Sequence, residues 1–188
     1  MEAAAIVLAA GAGTRMKSKK PKVAHEVLGK PLVRWVVDAA RDAGVERVVS
    51  VVGHAREQVE PLVGDTQTVV QVEQNGTAGA VAVCKDALAD FDGSLVVLSG
   101  DCPLITSETI ARLVTAREEA DAAVVVLTME LDDPFGYGRI VRDEQGAVAR
   151  IVEQKDATPE EAALGECNSG FYCFDARALF AALEQVSN

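Results

Sequence analysis

Short apolar runs alternate with helix-type patterns along most of this 188-residue chain, and this alternation limits the possible fold more than any other feature. The first run, Ala3–Leu8, is apolar throughout, which is typical of a strand buried on both faces of a sheet. Strands separated by helices predict βαβ units, and the right-handed crossover places helices on both faces. The sequence therefore predicts an α/β fold with a mostly parallel sheet.

The pattern changes after Met129, where a β-hairpin is predicted to decorate this sheet. The prediction is one domain over residues 1–188. The predicted strands are Ala3–Leu8, Arg47–Val52, Thr68–Val72, Ser94–Leu98, Ala122–Thr128, Arg139–Arg142, Val148–Val152 and Gly170–Phe174. The predicted helices are one that buries Leu32, Trp35, Val36, Ala39, Ala40 and Ala43, then Arg56–Leu62, Thr77–Leu88, a helix capped by Ser107 that ends at Ala120, Thr158–Ala163 and Ala176–Leu183.

Composition excludes several classes of protein. A hydrophobic fraction of 49% is too high for a disordered chain, and a net charge of −11 disfavours binding to nucleic acid or anionic lipid. No apolar run is long enough to span a membrane, and no basic segment precedes Ala3, so we expect a cytoplasmic protein without a membrane partner. The four cysteines form no C-x-x-C pair, which favours buried thiols over zinc or disulfides.

A glycine-rich, basic loop follows the first strand. Leu8–Met16 reads LAAGAGTRM, and Arg15 and Lys22 supply positive charge at the edge where open α/β sheets bind ligands. Small residues let backbone N–H groups approach a phosphate, and the cations would neutralise it. Met16 excludes the G-x-G-x-x-G dinucleotide pattern, and no P-loop is present. We interpret the loop as a phosphate site rather than an ordinary loop with solvated lysines.

Several polar residues near predicted strand ends allow two interpretations each. Asp101 suits Mg²⁺ beside phosphates, or a turn before a proline. Gln71 can pair with a nucleobase edge, or be a polar strand end. Glu153 and Asn168 can bind hydroxyl groups, or belong to a charged edge and a turn. For Asp101 the neighbouring glycine loop favours the metal, whereas the others alone favour the structural interpretation.

Taken together, the motifs resemble a known family. Leu8–Met16 with Pro21–Val23 is similar to the signature of sugar-phosphate nucleotidyltransferases. Further matching stretches follow in the same order: QVEQNGT from Gln71, GDCPLI from Gly100, GYGRIVR from Gly136, IVEQKDA from Ile151 and ECNSG from Glu166. The whole set resembles the N-terminal uridylyltransferase domain of bacterial bifunctional N-acetylglucosamine-1-phosphate uridylyltransferase/glucosamine-1-phosphate acetyltransferases.

This resemblance implies a Rossmann-like nucleotide-diphospho-sugar transferase fold and a Mg²⁺-dependent reaction. UTP and N-acetylglucosamine 1-phosphate would give UDP-N-acetylglucosamine, a product used in peptidoglycan and cell wall biogenesis, and pyrophosphate. The implied roles follow by group: Leu8, Ala10, Gly11 and Gly13 hold the nucleotide; Arg15 and Lys22 act in catalysis by neutralising the phosphates; Gln71, Gly76 and Thr77 read uracil; Asp101 binds Mg²⁺; Gly138, Glu153 and Asn168 hold the amino sugar.

The chain also departs from the family pattern. Ala78, Gly79 and Ala80 stand where Gly-His-Ala is usual, and Cys102 and Cys167 replace aliphatic residues. The resemblance implies that the sequence ends at Asn188, several dozen residues before the nucleotidyltransferase domain closes, without the Asn that gives a second Mg²⁺ ligand. It also implies that the β-helix acetyltransferase domain is absent, so no trimer is expected. Two alternatives stay open: another sugar-1-phosphate nucleotidyltransferase, and a nucleotide-binding fragment without turnover.

Overall fold

The computed structural model describes residues 2–11, 13 and 16–186. These residues form ten strands and six α-helices, together with short 3-10 turns at Lys22–Ala24, Glu60–Leu62 and Asp86–Leu88. The elements in chain order are Ala3–Leu8 (β1), Glu26–Val27 (β2), Lys30–Pro31 (β3), Leu32–Asp42 (α1), Arg47–Val52 (β4), Arg56–Val59 (α2), Gln67–Val70 (β5), Gly76–Ala82 (α3), Ser94–Ser99 (β6), Ser107–Ala120 (α4), Val124–Glu130 (β7), Arg139–Arg142 (β8), Val148–Val152 (β9), Pro159–Ala162 (α5), Glu166–Asp175 (β10) and Ala176–Leu183 (α6).

The chain divides into two compact units, one of Met1–Val125 with Tyr172–Asn188 and one of Val126–Phe171. In the first unit, the strands lie in the order β5-β4-β1-β6, and each neighbouring pair is parallel. The C-terminal part of β10 then pairs antiparallel with β6, with Tyr172 opposite Val97. The predicted α/β fold with a mostly parallel sheet is confirmed.

Helices contact both faces of the central strand because its successive side chains point to opposite sides. Ile6 belongs to a buried cluster with Val81 of α3 and Leu179 of α6. The other face of the sheet packs against α1 and α4, which also contact each other. The apolar run Ala3–Leu8 is therefore covered on both sides, as its sequence predicts.

The buried face of α1 differs from the predicted one. Val33, Val36, Val37 and Ala40 are buried, whereas Trp35 is only half-buried. The indole Nε1–H of Trp35 donates to the Val27 carbonyl at 3.1 Å, and the Lys30 ammonium lies 4.0 Å from the ring centre. Trp35 was therefore placed wrongly on the core face, because the small β2–β3 hairpin offers it a polar partner and a cation.

Several predicted boundaries were also wrong. Ser107 does not cap α4, because the Thr106 hydroxyl accepts from Thr109 N–H at 3.2 Å. The predicted helix Thr77–Leu88 breaks after Ala82 into tighter turns.

The remaining boundary shifts have local causes. Arg56–Leu62 splits into α2 and the 3-10 turn that contains Pro61. The strand predicted at Ala122–Thr128 begins two residues later, because the Ala122 N–H still bonds to α4. The predicted strand Gly170–Phe174 extends to Glu166–Asp175, because different partners pair with its two parts.

The second unit holds the predicted β-hairpin. β8 and β9 pair antiparallel, with Arg139 opposite Val152, and β8 also pairs with the N-terminal part of β10 through Cys167. The Asp143 carboxylate accepts from the Gln145 and Ala147 N–H groups at 2.9 Å each and so closes the turn. α5 begins with a capping box between Thr158 and Glu161.

All four cysteines are free thiols, as predicted, and three of them are buried. Burial raises the pKa of the Cys84 thiol to about 12 and that of the Cys173 thiol to about 11. Both therefore stay protonated and unreactive near neutral pH. Within the described part of the chain, no helix has the length and hydropathy to cross a membrane.

Candidate functional site

A cleft of about 550 Å³ opens in the first unit at the carboxyl ends of the parallel strands. Backbone hydrogen bonds continue past the strands here: Gly100 N–H donates to the Leu8 carbonyl at 2.9 Å, and Gln71 N–H to the Val52 carbonyl at 2.8 Å. Open α/β sheets bind ligands at this edge. The cleft is lined by Leu8, Ala10, Gly11, Gly13, Met16, Lys22, Val23, Gln71, Gln74, Gly76, Thr77, Ala80, Ser99 and Asp101.

Gly13 brings the glycine loop against Lys22. Its φ of +62° is in the left-handed region, and a Cβ at this position would lie 2.7 Å from the Cβ of Lys22 and 3.3 Å from its backbone nitrogen. Only a glycine satisfies both the conformation and this contact. The loop thereby places backbone groups and the Lys22 ammonium in one wall of the cleft.

Replacing Gly13 with Ala is expected to lower the free energy of unfolding. The left-handed conformation alone costs about 1 kcal/mol for a residue with a Cβ, and the overlap with Lys22 adds to that. Gly29→Ala is the matched control, because Gly29 has a φ of +74° but nothing within 4 Å of an added Cβ. Urea unfolding should show a larger loss for Gly13→Ala, and equal losses would contradict this account of the loop.

An ion pair joins Lys22 to Asp101 within the cleft. The Asp101 side chain is 24% exposed and that of Lys22 is 44% exposed, so both charges can reach a ligand. The Cys102 thiol donates to the Asp101 carboxylate at 3.5 Å. Burial, reinforced by the Asp101 charge, raises the pKa of Cys102 to about 11, so this thiol stays a neutral donor.

Asp101 is suited to a magnesium ion that the ligand also holds. Among the described residues, no group of three or more His, Cys, Asp or Glu side chains is placed to form a metal cage. Mg²⁺ does not need such a cage, because it keeps several waters and binds through one or two carboxylates plus substrate phosphates. A half-buried carboxylate beside a cationic loop therefore fits Mg²⁺ carried by a polyphosphate.

Gln71 lines the same cleft as the Lys22–Asp101 ion pair. Its side chain is buried, with 5% of the residue exposed. Its Nε2 donates to the Asn75 Oδ1 at 3.0 Å and to the Gly76 carbonyl at 3.2 Å. An amide with its N–H groups occupied in this way presents its oxygen as an acceptor.

The three residues predicted to hold a sugar meet in the second unit. A Cβ at Gly138 would lie 3.4 Å from the Glu153 Oε1 and 3.7 Å from the Asn168 Cβ. The Asn168 N–H also donates to the Gly138 carbonyl at 2.8 Å. This cluster places the exposed Glu153 carboxylate near the Asn168 amide, and both are groups that can bind sugar hydroxyls.

A buried arginine supports this cluster. Arg139 is 1% exposed, and its guanidinium donates to the carbonyls of Tyr137 and Ala162 and, at 2.8 Å, to the Gln154 Oε1. The same Gln154 oxygen accepts from the Gly136 N–H at 3.1 Å. Arg139 therefore connects both chain segments that carry Gly138 and Glu153.

The structure brings together most of the residues predicted for the nucleotide. The cleft is lined by Leu8, Ala10, Gly11, Gly13, Lys22, Gln71, Gly76, Thr77 and Asp101. Arg15 lies outside the described residues. The residues that the sequence reasoning did not assign are Met16, Val23, Gln74, Ala80 and Ser99. Met16, Val23 and Gln74 lie within the family-like motifs of the sequence, and that position was the available signal.

The profile of the MobA-like NTP transferase domain family matches residues 5–187. The chain is 53% identical over 189 residues to the bifunctional protein GlmU of Lactobacillus delbrueckii subsp. bulgaricus, and the alignment covers 100% of this chain and 41% of that protein. It is 51% identical over 185 residues to GlmU of Bacillus licheniformis, with 98% of this chain and 41% of that protein covered. The chain thus spans about two fifths of the length of these curated relatives, and it matches their N-terminal part.

Proposed function

Because this chain belongs to the family of MobA-like NTP transferase domains, we propose that it transfers the uridylyl group of UTP to N-acetylglucosamine 1-phosphate. The products are UDP-N-acetylglucosamine and pyrophosphate. The observation that carries the proposal is the cleft, where the glycine loop, Lys22, Asp101 and Gln71 line one cavity. Nucleotidyl transfer needs that combination of phosphate contacts, a metal ligand and a base-reading amide in one place.

The chain's own residues have a simple electrostatic task in this reaction. The sugar phosphate is already an anionic nucleophile, so its attack on the α-phosphorus requires no general base. The obstacle is repulsion between two anions. Lys22 would neutralise phosphate oxygens, the backbone of Gly11 and Gly13 would hold them, and Arg15 is assigned the same task from the sequence. Accepting a phosphate would require Lys22 to exchange Asp101 for that ligand.

Asp101 would hold Mg²⁺ once its ion pair with Lys22 is exchanged. The ion would supply further neutralisation of the triphosphate and of the departing pyrophosphate. Gly138, Glu153 and Asn168 are the proposed contacts of the amino sugar, supported by their clustering in the second unit. Gln71 would accept the N3–H of uracil, flanked by Gly76 and Thr77.

Asp101→Asn is expected to raise the Mg²⁺ concentration needed for half-maximal activity by about tenfold or more, because an amide is a weaker ligand than a carboxylate for this hard ion. The measurement is pyrophosphate release titrated with Mg²⁺. Asp90→Asn is the control, since Asp90 pairs with Arg47 outside the cleft lining. An unchanged Mg²⁺ dependence in Asp101→Asn would remove Asp101 from the metal site.

The proposed function is tested by pyrophosphate release from UTP, N-acetylglucosamine 1-phosphate and Mg²⁺. dTTP, GTP, CTP and other sugar 1-phosphates are assayed in parallel. Release specific to the first pair is the expected result. Preference for another pair would support a different sugar-1-phosphate nucleotidyltransferase. Nucleotide binding by the folded chain without any release would support a binding fragment without turnover.

A further inference from the structure

The direction of the Gln71 amide is set by its surroundings. The Gly76 carbonyl can only accept a hydrogen bond, so the group that approaches it at 3.2 Å must be the Gln71 NH₂. The second hydrogen of that NH₂ is donated to the Asn75 Oδ1 at 3.0 Å. Among the described residues, none donates a hydrogen bond to the Gln71 Oε1. Because Gln71 lines the cleft, this oxygen can accept a hydrogen bond from a ligand.

Asn75 makes this contact instead of the one its position favours. It is the N-cap residue of α3, where an Asn side chain commonly accepts from a backbone N–H of the first helical turn. The Asn75 side chain makes no such capping bond. Its oxygen is turned toward Gln71, so the capping residue stabilises the neighbouring amide rather than the helix.

Gly79 provides the space for this arrangement. A Cβ at Gly79 would lie within 2.4 Å of the Asn75 Cγ and closer still to its Oδ1, so any larger residue would displace the Asn75 side chain. The φ of Gly79 is not in the left-handed region, and the residue lies within α3, where alanine is the better helix former by about 1 kcal/mol. An alanine at position 79 would therefore require the Asn75 side chain to move.

We propose that Asn75 and Gly79 form a coupled pair that holds the Gln71 amide with its oxygen toward the bound base, and that this pair sets the base specificity of the cleft. Asn75 is a positioning residue, since it acts through Gln71. A fixed acceptor favours uracil, whose N3 carries a hydrogen, and disfavours cytosine, whose N3 is itself an acceptor. The inference rests on the proposed function, because it takes Gln71 as the residue that contacts the base.

Calorimetric binding of UTP and CTP, with Mg²⁺ and without sugar phosphate, tests this pair. Asn75→Leu keeps the side-chain shape but removes the acceptor, so Gln71 must be ordered again when the base binds. The ratio of UTP affinity to CTP affinity is expected to fall about fivefold to tenfold. Gly79→Ala should lower the ratio similarly by displacing Asn75, although it favours the helix. The double variant should lose no more than either single variant, because both remove the same contact.

Asn75→Asp is the conservative variant. It retains an oxygen that accepts from the Gln71 NH₂. Its added charge weakens the binding of both nucleotides alike, so the ratio of UTP affinity to CTP affinity should stay within about twofold of the wild-type ratio. Glu73→Gln alters an exposed side chain of the same loop and should leave the ratio unchanged. Thermal unfolding of each variant separates a loss of fold from a loss of discrimination.

Base reading by Gln71 and positioning by Asn75 are contradicted by different results. If the wild-type chain binds UTP and CTP with equal affinity, Gln71 does not read the base, and the proposed role of the coupled pair is wrong as well. If the wild type discriminates and Asn75→Leu discriminates equally well, the positioning role is overturned while the proposed function stands. Additive losses in the double variant would also overturn the coupling.

Discussion

Replacing Lys22 with Ala is expected to lower kcat for pyrophosphate release by about a hundredfold to a thousandfold. The estimate follows from the loss of one group that stabilises developing charge in a preorganised site. Lys22 is the cation that the described cleft lining supplies, and its ammonium already lies against the Asp101 carboxylate. The assay is steady-state turnover at saturating UTP and sugar phosphate, so that weaker binding does not obscure the chemical step.

Lys20→Ala is a closely matched control for this variant. Its side chain is also 44% exposed and also takes part in an ion pair, with Glu26, but it does not line the cleft. Its kcat and melting temperature should stay near those of the wild type. A Lys22→Ala enzyme that turned over at the normal rate would show that the charge of Lys22 is not used in catalysis.

Replacing Arg139 with Met is expected to lower the free energy of unfolding by about 3 kcal/mol. Met fills similar apolar space, but it leaves the carbonyls of Tyr137 and Ala162 without their charged donor, while the Gln154 Oε1 keeps its bond from the Gly136 N–H. Each buried acceptor without a partner lowers the free energy of unfolding by about 1–3 kcal/mol. The variant no longer buries a charged guanidinium, and the desolvation cost that it avoids offsets part of this loss. Urea unfolding followed by circular dichroism measures the loss.

Arg142→Met tests whether burial is the reason. Arg142 lies in the same strand and pairs with Glu166 near the surface, where solvent screens the interaction. Its loss of stability should be much smaller than that of Arg139→Met. Arg139→Met should also raise the KM for the sugar phosphate, because Gly138 and Glu153 lie on the segments that Arg139 connects. Equal stability losses for the two arginines would contradict the structural role.

Local pattern was enough to predict the architecture of the first unit. The uninterrupted apolar run Ala3–Leu8 indicated a strand covered on both faces, and the buried β1 has that environment. Topology then places the residues that follow parallel strands at one edge of the sheet. For that reason Gly13 and Asp101, far apart in sequence, could be predicted to lie at one edge, whereas Gln71 was assigned to the nucleotide by the family resemblance; all three line the cleft.

Helix faces and element ends were less predictable. The apolar spacing of α1 predicted a core face that includes Trp35, whereas the small β2–β3 hairpin gives Trp35 a carbonyl and a cation outside the core. Thr106 rather than Ser107 caps α4, although both carry a hydroxyl at the helix start. The placement of Trp35 depends on contacts made by another segment, which no local pattern records.

The sequence alone was enough to predict the class of the fold, the edge of the sheet that carries the cleft and the residue types that line it. Periodicity and strand polarity follow from short-range geometry, so both can be recognised in the amino-acid sequence. Which atoms face one another depended on the folded chain: Lys22 lies against Asp101, Arg139 against three oxygens, and Asn75 turns from its helix toward Gln71. Those pairings arise from packing between distant segments, because a side chain takes the partner that the folded chain brings within about 3 Å.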